Sequence, residues 1–217
     1  VIPTASPAVG DATYWMRLST WQAIPPQNLF SFGDTAKQAY DRMINLVGRA
    51  EAYLNKNAPL ASVNDVAATV NWAGLPELRK KISAAAGFPM LLRSNTSSAA
   101  LAFARYPQIA EISQRGPATP DHIIRTKRLP LLGRDVETYV QAYKNYFEKN
   151  SKNAKTPLTM LDPAPRVIID PEFGLVSAGR SARDTQIIED IYLHTQDIIL
   201  RGEKLGGLPF EHPLAQA

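Results

Sequence analysis

The sequence predicts a helix-rich α/β fold, and three observations predict it. Long stretches repeat apolar residues at helical spacing. Two short β-rich runs, RVIID and LVSA, are joined around Pro171 and Gly174. The apolar fraction, 45% of 217 residues, is enough to bury a substantial core. A polar stretch, NSKNAKTP, lacks any packing signal and divides residues 1–150 from a hairpin-plus-helix segment, residues 151–217.

Taken in chain order, VIPTASP suits a short strand entering a proline-bounded loop, and DATYWMRLSTWQAI is open between helix and irregular structure. Asp34 is placed to cap a helix on which Ala36, Ala39, Tyr40, Met43, Ile44, Val47, Ala50 and Leu54 form one stripe. That spacing predicts one buried face, with Lys37, Arg42, Arg49 and Glu51 in water. KNAPLASVND is turn-rich. A helix is expected from Pro76 to a stop at Gly87, since proline suits a first helical position and glycine a terminus. MLLRSN reads as a strand. Two short helices, residues 97–106 and 108–114, are separated by Pro107, which lacks a donor and disfavours helix at the preceding residue.

Asp135 is placed to cap the next helix, whose stripe of Val136, Tyr139, Val140, Tyr143 and Phe147 is expected to be core. After the hairpin, Ser181 opens a long helix with an apolar face of Ile187, Ile188, Ile191, Tyr192, Thr195, Ile198 and Ile199, stopped by GEKLGG. The tail LPFEHPLAQA, with two prolines, is expected to be loosely held.

Composition removes several function classes. Apolar runs are a few residues long, too short to span a bilayer as a helix. The first residues lack the basic and apolar segments of a secretory signal. With no cysteine there are no disulfides, thiolate metal sites or Cys nucleophiles, which fits a reducing, cytoplasmic compartment. A net charge of +4, dispersed along the chain, gives no stripe for nucleic acid.

The densest basic stretch is GPATPDHIIRTKRLPLLGRD, residues 116–135. Thr119 is placed to cap a short helix with Pro120 at its first position, which puts Asp121 and His122 among unpaired N–H donors. Arg125, Lys127 and Arg128 follow. A helix start beside fixed positive charge suits a phosphate or carboxylate, with His122 and Asp121 as the candidate catalytic pair and Arg125, Lys127 and Arg128 as anion ligands. The same residues also suit a connector in which Thr119 and Asp121 cap while Arg125 and Arg128 pair with carboxylates such as Asp135 and Glu137. A second anion candidate is GRSARD, residues 179–184, where Arg180 and Arg183 flank a helix start capped by Ser181. Plain capping with exposed arginines is the alternative there.

The three histidines, His122, His194 and His212, include no pair at helical spacing, so no shared metal site is predicted. His194 is expected to be a partly buried, hydrogen-bonded structural residue and His212 a solvated one. No GxSxG elbow occurs. Glu189 and Asp190 diverge on their helix, and Asp170 and Glu172 are expected to form a turn.

Four segments, NLFSFGDTAKQAYDRMINLVGRAEAYL, GPATPDHIIRTKRLPLLGRDVETYVQAY, LDPAPRVIIDPEFGLVSAG and ARDTQIIEDIYLHTQDIILRGEKLGG, together resemble a known family. It is the class II aldolase/adducin domain of bacterial proteins that join it to a short-chain dehydrogenase, described as rhamnulose-1-phosphate aldolase/alcohol dehydrogenases. The similarity spans roughly residues 29–207. The resemblance implies an α/β/α portion of an aldolase domain over residues 1–150 and a linking hairpin and helix over 151–217. It also implies a sugar-phosphate substrate, an attached dehydrogenase domain and a possible homo-oligomer. Zinc and NAD are implied only for a complete family member. The paired His motif would precede Val1, Gln27 and Asn28 stand where a third His ligand is expected, and no GxGxxG follows Gly207. A non-catalytic, adducin-like interaction or assembly module is the alternative function.

Overall fold

The computed structural model describes residues 31–60, 70–152, 154 and 156–206. The segments VIPTASP, DATYWMRLSTWQAI, ASVND and LPFEHPLAQA, together with Gln27, Asn28 and His212, lie outside them. The chain forms two compact units, residues 1–59 and 60–217.

The first unit contains helix α1 (Ala36–Asn57). Its cap is Thr35, one residue beyond the expected Asp34. The Thr35 side chain accepts from the Gln38 N–H, and the Gln38 side chain accepts in return from the Asp34 N–H. This reciprocal pairing satisfies two otherwise orphaned donors. The expected buried face is not observed: Tyr40, Ile44 and Val47 are 59%, 49% and 44% exposed. The apolar stripe is real, but no second element among the described residues of this unit packs on it.

The second unit runs α2 (Leu75–Ala86), β1 (Leu91–Asn95), α3 (Ser98–Ala104), α4 (Ile109–Ile112), α5 (Ile123–Thr126), β2 (Leu131–Leu132), α6 (Val136–Ser151), β3 (Val167–Asp170), β4 (Gly174–Gly179) and α7 (Ala182–Lys204). Short 3-10 turns, Trp72–Gly74 and Pro120–His122, precede α2 and α5. The sheet order is β1-β4-β3-β2. β4 is antiparallel to both neighbours, whereas β2 runs parallel to β3, with Leu131 opposite Ile168.

Strand periodicity sorts the core into two faces. Ile168, Val176 and Ala178 point to one side, where Leu78 and Ile82 of α2 and Val136 of α6 meet them. Val167, Ile169 and Leu175 point to the other, against Phe103 of α3 and Ile188 and Tyr192 of α7. The result is the α/β/α layering expected. Each fully buried Leu, Ile or Phe contributes roughly 1.5–3 kcal/mol, so the two faces together supply the main driving force.

Most boundaries follow the local chemistry read from the sequence. Pro76 lies in the first turn of α2, and Gly87 ends it with φ +79°, its N–H bonded to the Ser83 carbonyl. Ser97, Asp135 and Ser181 cap α3, α6 and α7 through side-chain oxygens. Glu189 is buried on α7 and binds Arg93 and Asn95 of β1, while Asp190 faces water. The pair therefore diverges as expected.

The hairpin turn is built around Asp170, which is 3% exposed. Its Oδ1 accepts from the N–H groups of Glu172 and Phe173, at 2.9 and 3.0 Å. Arg134, from the turn between β2 and α6, donates to both Asp170 oxygens at 2.7 and 3.0 Å and to Glu172 at 2.5 Å. Its guanidinium lies 4.1 Å over the Phe173 ring, which stacks on Trp72. Burial pushes the Asp170 carboxyl up, but the Arg134 contacts and the two N–H donors outweigh it and hold the group below its ordinary value.

Because the folded value is depressed, this pairing stabilises the fold fully above the ordinary carboxylate value of 3.8 and loses that contribution as pH falls through the lower, folded value. Asp170→Ala is expected to cost about 3 kcal/mol in urea unfolding at neutral pH, and the difference from the parent should shrink in acid. Gly174 has φ +68°, and an added Cβ would lie 2.3 Å from the Asn95 carbonyl oxygen. Gly174→Ala is expected to cost at least about 2 kcal/mol, read in the same unfolding curves.

Candidate functional site

The basic stretch begins with a turn at Gly116 (φ +97°) and passes through the 3-10 turn to the single turn of α5. It then reverses at Lys127, the one non-glycine residue with positive φ (+63°) among the described residues. Such a backbone costs on the order of 1–3 kcal/mol, and surrounding structure must hold it. Here the Thr126 hydroxyl meets the carbonyls of His122 and Lys127, each at 3.0 Å.

This reversal sends the charges of the cluster in two directions. Arg125 is exposed and reaches toward α7, with Nη1 3.6 Å from Asp184. Lys127 is buried. Its Nζ donates to the Asp162 carbonyl at 2.6 Å and to the Tyr143 hydroxyl at 3.3 Å, and lies 4.5 Å from the Tyr143 ring centre. Arg128 lies 4.9 Å over the ring of Tyr146. Asp121 is exposed, and His122 is half-buried with its Nδ1 enclosed and without a hydrogen-bond partner. As the connector alternative expects, Arg125 pairs with a carboxylate, but that carboxylate is Asp184 rather than Asp135 or Glu137. Asp135 instead binds Thr138, and Glu137 lies 3.6 Å from Lys81.

At the start of α7 one charge of the basic stretch reaches the second sequence candidate, GRSARD. Ser181 accepts from the Asp184 N–H at 3.1 Å, Arg180 stands 4.0 Å over Phe88, and Arg125 approaches from α5. Gly179 lets the end of β4 pack closely on the first turn of α7, since a Cβ there would lie 2.8 Å from Asp184 Cβ and the Thr185 nitrogen. Arg125, Arg180 and Arg183 outnumber Asp184 in this region, which sits at the positive end of a 23-residue helix.

Lys127 and Arg128 point instead toward α6, where a cavity of about 340 Å³ opens between residues 128–132 and the tyrosines of the helix. The stripe of Tyr139, Tyr143 and Phe147 was expected in the core, yet only Val136 of α6 is fully buried. The stripe is wide enough for both roles: its first residue seals the sheet and its tyrosines wall the cavity. Behind Lys127 lies a small void of about 10 Å³ bordered by Thr126, Tyr192 and Thr195. The Tyr192 hydroxyl is buried there without a hydrogen-bond partner, and burial pushes its ionisation well above the usual range.

Among the described residues no three His, Asp or Glu side chains are grouped to hold a metal, and His194 is exposed on α7. The expected partial burial of His194 is thus not observed, because it lies just outside the helical stripe that faces the sheet. No helix among the described residues is long and apolar enough to cross a membrane.

Burial lowers the Lys127 ammonium to about 8; Asp162 opposes that shift and Arg166 adds to it. The unfolded chain therefore binds more protons than the folded one between about 8 and the ordinary 10.5, and this residue's contribution to stability rises with pH across that window. Measured by urea unfolding at pH 7 and pH 9.5, the parent is expected to gain on Lys127→Met at the higher pH.

The model of the family "Aldolase class II, second domain" matches residues 69–212. An uncharacterized oxidoreductase of Bacillus subtilis (strain 168), YuxG, is 26% identical over 206 residues, covering 82% of this chain and 29% of the relative. The chain thus spans under a third of the length of the curated relative it matches. No solved structure matches significantly. The matched region takes in the sheet, the helices on both its faces and the basic stretch, and on that ground the chain belongs to the class II aldolase second-domain family.

Proposed function

We propose that this domain serves a sugar-phosphate aldolase/alcohol dehydrogenase system, rhamnulose-1-phosphate-like in substrate, by contributing positive charge that holds the substrate's phosphate. The observation that carries the reading is the approach of Arg125 to the first turn of α7, where Ser181 caps the helix. Guanidinium groups at a helix N-terminus suit phosphate, since fixed charge and backbone donors act together. The likeness to an oxidoreductase more than three times the length of the aligned region supports a multidomain setting. In it, zinc and NAD would belong to other parts of the polypeptide, and His122 and Asp121 would support the site from α5 and the preceding turn.

A second reading, a non-catalytic module that assembles with other subunits, is favoured by the exposed apolar stripe of α1. Calorimetric titration of the full chain with a ketose 1-phosphate separates the two. Saturable binding is expected, weakened about tenfold or more by Arg125→Glu combined with Arg180→Glu. Binding unchanged by that double substitution rejects the phosphate role. A concentration-dependent assembly in sedimentation that is lost in Ile44→Glu, with no phosphate-ester binding, supports the module.

A further inference from the structure

The cavity between β2 and α6 lies apart from the α7 start and has a different character. Its walls are apolar: Leu129, Pro130 and Leu131 on one side, Tyr139, Ala142 and Tyr143 on the other. At about 340 Å³ it falls in the range of small-ligand sites, roughly 300–1,000 Å³.

Hydrogen bonds hold the walls in place. The Tyr139 hydroxyl donates to the Leu129 carbonyl at 2.9 Å, and Gln114 Nε2 donates to the Pro130 carbonyl at 3.2 Å. The Tyr143 hydroxyl receives Lys127 Nζ from behind. Parallel pairing with β3 fixes Leu131 and Leu132. A cavity tied on several sides does not depend on a ligand for its shape, and a preformed site spares a ligand much of the ordering cost.

The charges around it are unequal. Arg128 borders the cavity with its guanidinium over the Tyr146 ring, and the Lys127 ammonium sits behind Tyr143. The only carboxylate in the lining, Asp135, uses Oδ1 for the Thr138 N–H and Oδ2 for the Thr138 hydroxyl. Aromatic side walls accept a flat ring by stacking, and the positive border selects an anionic substituent.

We infer that the cavity between β2 and α6 is a binding site for a small planar aromatic molecule carrying one carboxylate or phosphate, its ring against Tyr139 and Tyr143 and its anion toward Arg128. The ring lies on the tyrosines of α6, and the anion stays beside the guanidinium that borders the cavity. This site is independent of the phosphate role at the α7 start.

The test uses the full chain with 1-naphthoate, a flat bicyclic carboxylate, and 1-naphthalenemethanol, its neutral counterpart, followed by calorimetry. The parent is expected to bind the acid about tenfold more tightly than the alcohol, and Arg128→Gln to remove most of that preference. Ala142→Trp, at an exposed position on α6, fills the cavity and is expected to abolish binding of both with the helical circular dichroism unchanged. Should that variant lose helical signal, Tyr146→Leu, which removes the ring beneath Arg128, is expected to weaken the acid about tenfold. No saturable binding of the acid, equal affinity for acid and alcohol, or undiminished binding by folded Ala142→Trp would overturn the inference. Arg125→Glu with Arg180→Glu is expected to leave naphthoate binding intact, which keeps this test separate from that of the phosphate site.

Discussion

The paired contact of Arg134 with Asp170 is the constraint on which the second unit depends. Asp170 ends β3 and folds the hairpin through two backbone donors, while Arg134 belongs to the turn that joins β2 to α6. A single ion pair therefore fixes the hairpin tip and the start of α6 together. The Gly133 N–H bonds the Ile169 carbonyl at 2.9 Å and adds a backbone tie at the same place. Phe173, beneath the guanidinium, is fully buried and stacks with Trp72. Charge, backbone and aromatic contacts thus converge, and both walls of the α6 cavity inherit their positions from them.

The sequence made much of this fold legible wherever the cause was local. Asp135, Ser181 and Ser97 cap the helices they precede, Pro76 and Gly87 bound α2, and the β-rich runs around Pro171 and Gly174 form the hairpin. Asp170 shapes the turn as its spacing suggests. Long-range causes were not legible. β2 is two residues long and pairs with a strand beyond α6, so no run of its own announces it. Arg134 looks like one more basic residue until the hairpin brings Asp170 to it. The stripe on α6 was found, but periodicity reports only that a face is apolar and not whether a sheet or a cavity meets it.

The candidate site shows the same division. The residues proposed from the basic stretch do gather at defined places, but at two rather than one. Lys127 adopts positive φ and turns its side chain and that of Arg128 toward α6, whereas Arg125, one helical turn earlier, goes to α7. Neither side-chain type nor spacing reveals such a backbone reversal in a lysine, because only glycine adopts that region without cost. The meeting of Arg125 with the GRSARD segment likewise requires α5 and α7 to be neighbours, a tertiary fact.

The register of β1 carries a consequence for how the chain assembles. Leu91 pairs with Gly179, so β1 finds its sheet partner among the described residues, β4, far along the polypeptide, whereas β3 and β4 are joined by a tight turn. Contacts that close long loops form against a larger entropy loss than local ones. During synthesis from the N-terminus, β1 leaves the ribosome well before β4 exists, and its hydrogen-bonding edge stays unsatisfied by the sheet until the hairpin follows. The strand that completes the sheet is thus the one most open to misassociation in the nascent chain.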